Sequence, residues 1–214
     1  MKRKAALSIL VLAFALGAAG CAADIEDYYP LNLGNEWEYK TSYPDGRILM
    51  DGDQITRRRE NTYFFNNGEI IIRLSRDALI NRNGVRILHH PLKAGTNWRD
   101  RGIEMKITAV GQKTEVPAGA FDDTVTVVWE ATRKGPVTMS ADEFTKGPPQ
   151  PSSEGESRDG PEAKERPDYP LRRFVSTTIF AKGVGPVRYK LEAAEIGREL
   201  RTILTSDLVS YRLR

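Results

Sequence analysis

Few side chains in this 214-residue chain are able to do chemistry, and their placement limits what they can do. There is one cysteine, Cys21, and there are two histidines, the adjacent pair His89-His90. Neighbours on a strand point to opposite faces, so two adjacent imidazoles cannot easily share a metal ion. No second thiolate is left to complete a site, and no metal centre is expected. Pro91 follows the pair directly, which sets it at a strand end or an exposed corner. The most compact carboxylate pair, Asp122-Asp123, comes straight after Val116-Pro117-Ala118-Gly119-Ala120-Phe121, where acids serve as solvated turn formers. No serine stands in a Gly-x-Ser-x-Gly context, and there is no phosphate-cradling glycine loop, dinucleotide fingerprint or calcium-loop spacing of acids. A Ser-His-Asp arrangement needs only proximity in space, so a hydrolase stays as the lesser alternative. No catalytic residue and no cofactor is assigned, and the chain reads as a non-enzyme. Arg57, Arg58 and Arg59 form the densest basic cluster and read as a solvated strand end rather than an anion site.

That leaves Cys21. The chain opens with Lys2, Arg3 and Lys4, continues through an apolar run from Ala5 to Ala18, and closes with small residues before the cysteine. This is the three-part layout of a secretory signal peptide. The run falls short of the roughly 20 residues that cross a bilayer core, which favours a leader over a permanent membrane span. Ala18-Ala19-Gly20-Cys21 resembles the lipobox of bacterial lipoproteins, although Ala18 stands where that pattern usually has leucine. The resemblance implies cleavage before Cys21, a thioether-linked diacylglycerol on its sulfur and acylation of the new amino terminus. Each buried methylene contributes about 0.8 kcal/mol, so two or three acyl chains hold a protein on a membrane unaided. Membrane lipid is thus the first expected partner. Ala22 is not the aspartate that retains lipoproteins at the inner membrane in enteric-type bacteria, so the same resemblance implies an outer-membrane destination. The expected organisation is a signal peptide at 1–20, lipidated cysteine and tether at 21–27, and a single β-rich domain at 28–214.

Three of the 32 basic residues lie in the leader, which leaves 29 against 29 acidic ones. A neutral body lacks the broad positive field that nucleic acid rewards, and no nucleic-acid partner is expected. With Cys21 committed to lipid, no disulfide or reactive thiolate remains. About 190 residues suffice for one sizeable core, and packing alone must supply the stability.

The elements that build such a core are strands. Asn67-Gly68 separates Tyr63-Phe64-Phe65 from Ile70-Ile71-Ile72, and Asn83-Gly84 separates Leu79-Ile80 from Val85-Arg86-Ile87-Leu88. Asn-Gly readily takes the positive φ angles of a two-residue hairpin turn. Pro44-Asp45-Gly46 gives a third hairpin, between Trp37–Lys40 and Arg47–Met50. Met105–Val110 alternates with period two, and Thr124–Trp129 is dense in β-branched residues. Phe174–Ala181, Pro186–Leu191 and Leu200–Tyr211 complete the strands, and Gly197 predicts a turn rather than a helix within Glu192–Leu204. The fold class is mainly β, either an antiparallel meander in one curved sheet or two similar β lobes. Between Lys146 and Asp168 the chain has five prolines and no Leu, Ile, Val or aromatic, the composition of a disordered inserted loop.

An internal repeat is the strongest single pattern. Pro30-Leu31-x-x-Gly34-x-x-Trp37 and Pro91-Leu92-x-x-Gly95-x-x-Trp98 share four residues at identical spacing. Proline ends the preceding strand, leucine plugs the core, glycine permits a positive-φ turn and tryptophan anchors the next strand. Each copy predicts a strand-initiating corner. With this repeat, the central Val116-Pro117-Ala118-Gly119-Ala120-Phe121 and the late Gly183-Val184-Gly185-Pro186-Val187, the chain resembles a loose group of uncharacterised bacterial surface lipoproteins. Those open with Tyr-Pro-Leu-x-x-Gly-x-x-Trp-x-Tyr after the lipidated cysteine, matched here by Tyr29–Tyr39. The resemblance implies an antiparallel β fold and no activity. Pro117, Gly119, Phe121, Gly183 and Gly185 are accordingly read as turn and anchor residues.

Two binding roles follow for such a body. One is an envelope-anchored interaction or structural module, with other envelope proteins as partners. The other is a carrier holding a lipid or other hydrophobic ligand in the hollow of a curved sheet, as half-barrel periplasmic carriers do. Aromatic residues are only 8% of the chain, and the tryptophans are accounted for as strand anchors, which favours the module.

Overall fold

The computed structural model describes residues 24–134 and 170–214; the leader, Cys21 and the 146–168 insertion lie outside the described residues. Among the described residues, fourteen strands follow one another: β1 (Glu36–Ser42), β2 (Ile48–Arg59), β3 (Thr62–Phe65), β4 (Ile70–Leu74), β5 (Ala78–Asn81), β6 (Arg86–His89) and β7 (Asn97–Asp100) come first. Next are β8 (Ile103–Val110), β9 (Thr114–Val116), β10 (Gly119–Phe121), β11 (Thr124–Lys134), β12 (Leu171–Ala181), β13 (Gly185–Glu195) and β14 (Arg201–Arg212). Twelve of them make one curved antiparallel sheet in the order β6-β5-β4-β3-β2-β1-β14-β13-β12-β11-β8-β7, and β9 with β10 forms a separate hairpin.

The order shows how the sheet is built. Strands that follow one another within it lie side by side except β6 and β7, which stand at its two ends. The first and last strands, β1 and β14, pair along Glu36–Ser42 and join the halves. The fold is therefore two six-stranded meanders, β1–β6 and β7-β8-β11-β12-β13-β14, fused into one nearly closed sheet. Lobes and curved sheet, alternatives in the sequence, are here the same object.

Period-two alternation places the core on the concave side. On β8, Ile103, Met105 and Ile107 are buried while Glu104, Lys106 and Thr108 are exposed. On β13, Val187, Tyr189, Leu191 and Ala193 point inward. Trp37, Phe65, Leu79, Leu88, Ile107, Leu191, Leu204 and Leu208 are fully buried. Full burial of side chains of this kind contributes about 1.5–3 kcal/mol each.

The turns mostly follow the sequence. Gly46 takes φ +87° between β1 and β2, and Gly197 turns the chain from β13 to β14 without a helix. Neither Asn-Gly pair makes a two-residue turn: Asn81 N donates to Val85 O around the three-residue loop Arg82-Asn83-Gly84, where of these three only Gly84 has positive φ, and Asn67-Gly68 departs further. Asn66, Asn67 and Gly68 all have positive φ, because Asn66 leaves the ladder to cap the edge of β2. Its side-chain oxygen accepts from Gln54 N, and its nitrogen donates to Gly52 O and Asp53 Oδ1. Packing begins at Ile25, inside the stretch expected as tether. A short 3-10 turn, Ile25–Tyr28, is capped by Asp24 and buries both Ile25 and Tyr28.

Candidate functional site

The two repeated corners superimpose bond for bond. Gly34 and Gly95 lie at φ +82° and +92°, and their amides donate to Ile55 O and Ile107 O at 2.9 and 2.8 Å. Ile55 N and Ile107 N answer by donating to the carbonyls of Asn35 and Thr96. The position after the glycine, variable between the two copies of the repeat, is part of the device. Asn35 Nδ2 and Thr96 Oγ1 reach back to Pro30 O and Pro91 O at 2.7 and 2.8 Å. Both residues are polar and short enough to close the turn, which is the only trace they leave in the sequence. Each tryptophan donates its indole N–H to a backbone carbonyl, Trp37 to Val184 O and Trp98 to Arg86 O. Leu31 is buried, whereas Leu92 is half-buried and Pro91 exposed, so the second copy is the looser one.

The first corner gathers the other motifs around it. Trp37 packs against Gly185, where an added Cβ would meet the indole nitrogen at 3.3 Å, and Gly185 has φ +110°. Gly183, at φ +72°, donates its amide to Asp27 O. Tyr28 donates its hydroxyl to Asp123 Oδ1 at 2.6 Å, and Lys182 lies 3.8 Å from Asp27 and 3.9 Å from Asp123. Burial, then the bond to Asp123, pushes the Tyr28 hydroxyl up. Asp123 is thus a structural acceptor rather than only a solvated turn former. Pro117 turns β9 into β10, Gly119 has φ +139°, Ala118 N donates to Leu208 O, and Phe121 packs on Tyr211. Together these contacts lock the segment that begins at Asp24 to the β10–β11 and β12–β13 turns, and the β9–β10 hairpin to β14.

The second corner sits at the gap between β6 and β7. No ladder joins these strands, and side chains close the seam instead. Arg86 grips Asp100 through Nε and Nη2 at 2.9 and 2.8 Å, and Arg86 N donates to the same carboxylate. The Arg86 guanidinium holds the Asp100 carboxyl below the usual carboxylate range. His89 stacks on Trp98, with ring centroids 5.7 Å apart. His89 ends β6 and His90 follows at the corner, next to a cis bond to Pro91. Their rings lie near separate carboxylates, His89 4.0 Å from Asp77 and His90 3.9 Å from Asp24. Among the described residues, no cluster of three or more His, Cys, Asp or Glu side chains could hold a metal.

One carboxylate unmarked in the sequence lies against the core. Asp53 on β2 faces the side of Trp37, and burial pushes its carboxyl up to about 6, with Asp51 and Glu69 adding to the rise and the Asn66 hydrogen bond opposing it. Burial, with the charge of Asp53, raises the hydroxyls of Tyr29 and Tyr39.

No protein-family model and no curated protein matches the chain. Two solved structures share its outline. One, described as a "putative lipoprotein" of Parabacteroides distasonis, is 12% identical with a TM-score of 0.46, over 86% of this chain and 98% of that one. The other, a "putative exported protein with YmcC-like fold" of Bacteroides fragilis, is 12% identical with a TM-score of 0.43, over 85% and 97%. Likeness at this level is one of outline and says nothing of what any of the three binds.

Proposed function

We propose that the protein is an envelope lipoprotein, held at the outer membrane through acylated Cys21, whose β body is an interaction or structural module and performs no catalysis. The lipobox-like leader supports the anchor. The observation that carries the role of the body is the locked N-terminal corner. Tyr28, Asp27 and Trp37 tie the first folded residues to Asp123, Gly183 and Val184, so force or position applied at Cys21 passes straight into the sheet. Other envelope proteins are the partners this reading implies.

The concave side supports the module over the carrier. Tyr29, Trp37, Phe65 and Phe180 pack on one another there, with ring centroids 5.9–6.2 Å apart, where a hydrophobic guest would have to sit. Native mass spectrometry of the protein extracted from membranes tests both halves of the reading. The expected mass is the chain from Cys21 plus its own acyl groups. A further stoichiometric lipid would replace the module with the carrier, and an unacylated mass would remove the anchor.

A further inference from the structure

The outer face of β2–β5 carries a surface that the core does not use. Ladder partners share a face, and the pairs Arg57↔Phe64, Arg59↔Thr62, Phe64↔Ile71, Thr62↔Arg73 and Arg73↔Ile80 put Arg57, Arg59, Arg73, Phe64, Ile71 and Ile80 together. The opposite face of the same strands supplies Ile55, Tyr63, Phe65, Ile72 and Leu79 to the core. Phe64, Ile71 and Ile80 are half-buried and lie outside that core. The Arg57 guanidinium lies 4.1 Å over the Phe64 ring. Among the described residues, Arg57, Arg59, Arg73 and Arg76 have no carboxylate partner, and Arg58 bonds only the Glu60 carbonyl and stacks on Tyr63. Acids border the arginines as well, and Asp24, Glu26 and Asp27 lie past His90 at the start of the body. Glu60 is in the β2–β3 turn, and Asp77 accepts from Ser75 and sits beside His89.

The patch adjoins the start of the body. Arg76 precedes Asp77, whose carbonyl accepts from His90 N, and the His90 ring is 3.9 Å from Asp24. From Asp24 to Cys21 is three residue steps, at most about 11 Å of extended chain. An acylated Cys21 therefore brings this rim to headgroup level. Apolar side chains flanked by arginines without carboxylate partners fit the boundary between acyl chains and anionic phosphates.

We propose that the Arg57–Arg59–Arg73 face is a membrane-contact surface that binds the phosphates of anionic phospholipids and seats the body against the bilayer. This rests on the Cys21 anchor, and it adds a second point of attachment. Near an anionic surface each arginine strengthens attraction by about fivefold, so three together are worth roughly two orders of magnitude.

The test is arginine footprinting with phenylglyoxal, read residue by residue in a mass spectrometer. The processed protein is reconstituted in vesicles of phosphatidylcholine alone, or with about a third phosphatidylglycerol to supply negative charge. Arg57, Arg59, Arg73 and the neighbouring Arg76 are expected to react several-fold more slowly on the anionic vesicles, and Arg198 and Arg201, at the other end of the strands, to react equally on both. With Arg57→Gln, Arg59→Gln and Arg73→Gln combined, protection of Arg76 should disappear while the circular-dichroism spectrum stays that of a β protein. Equal rates on both vesicles would overturn the proposal. So would the same protection from inorganic phosphate on neutral vesicles, which would make the patch a site for a soluble anion. Flotation with neutral vesicles reports the anchor separately. If the chain does not float, the anchor reading fails, and footprinting against anionic vesicles still reads the patch.

Discussion

Gly185 is a tight point against the first corner, since its φ of +110° suits only glycine and a Cβ would press on the rigid Trp37 indole at 3.3 Å. Gly185→Ala is expected to cost about 1–3 kcal/mol. Gly46→Ala, where a Cβ meets nothing within 4 Å at φ +87°, should cost less, about 1 kcal/mol from backbone strain alone. Urea midpoints of the two variants check the order. Asp53 gives a pH-dependent expectation. Its native carboxyl takes up a proton near 6 and the unfolded one near 3.8, so the native state binds the proton more tightly. Stability is then present at low pH and lost as pH rises through that window, by about 2 kcal/mol after allowance for partial exposure. Asp53→Asn should remove this slope and leave the protein more stable at about pH 7. An unchanged slope in urea titrations would place the titrating group elsewhere. The Pro-Leu-x-x-Gly-x-x-Trp corners were legible in the sequence because each member acts through its own backbone or bulk. Asp53 was not, because its environment is made by Asn66, Asp51 and Glu69, and nothing in one strand marks that meeting.

Among the elements, β6 and β7 are the exposed weak point, because a ladder that should join them is replaced by Arg86, Asp100 and Trp98. Arg86→Ala is expected to cost about 1–2 kcal/mol and to open this seam first. Amide exchange should quicken at Arg86–His89 and Asn97–Asp100 and stay unchanged where β1 meets β14. Uniform quickening would mean that the seam is no separate unit. The longer hairpins were readable from Asn-Gly and Pro-Asp-Gly between alternating runs. β9 and β10 were read only as a turn, because three residues are too few to display a period. The failure of β6 to pair with β7 left no local signal, since strand partnership at a seam depends on the closure of the whole sheet.

At the scale of the whole molecule, a repeated corner starts each of two meanders, and the meanders share one sheet through β1 and β14. The repeat foretold the doubling, but which strands would join the halves was beyond it, because that ladder links the first strand to the last. In the proposed reading, an anchor at Cys21 sets the first corner, which is locked to the body, next to the membrane. Metabolic labelling with a clickable fatty acid, comparing wild type with Cys21→Ala and followed by membrane fractionation, tests that claim most directly. The predicted result is label and membrane association in the wild type and no label in the variant. Label in both proteins, or in neither, would contradict it.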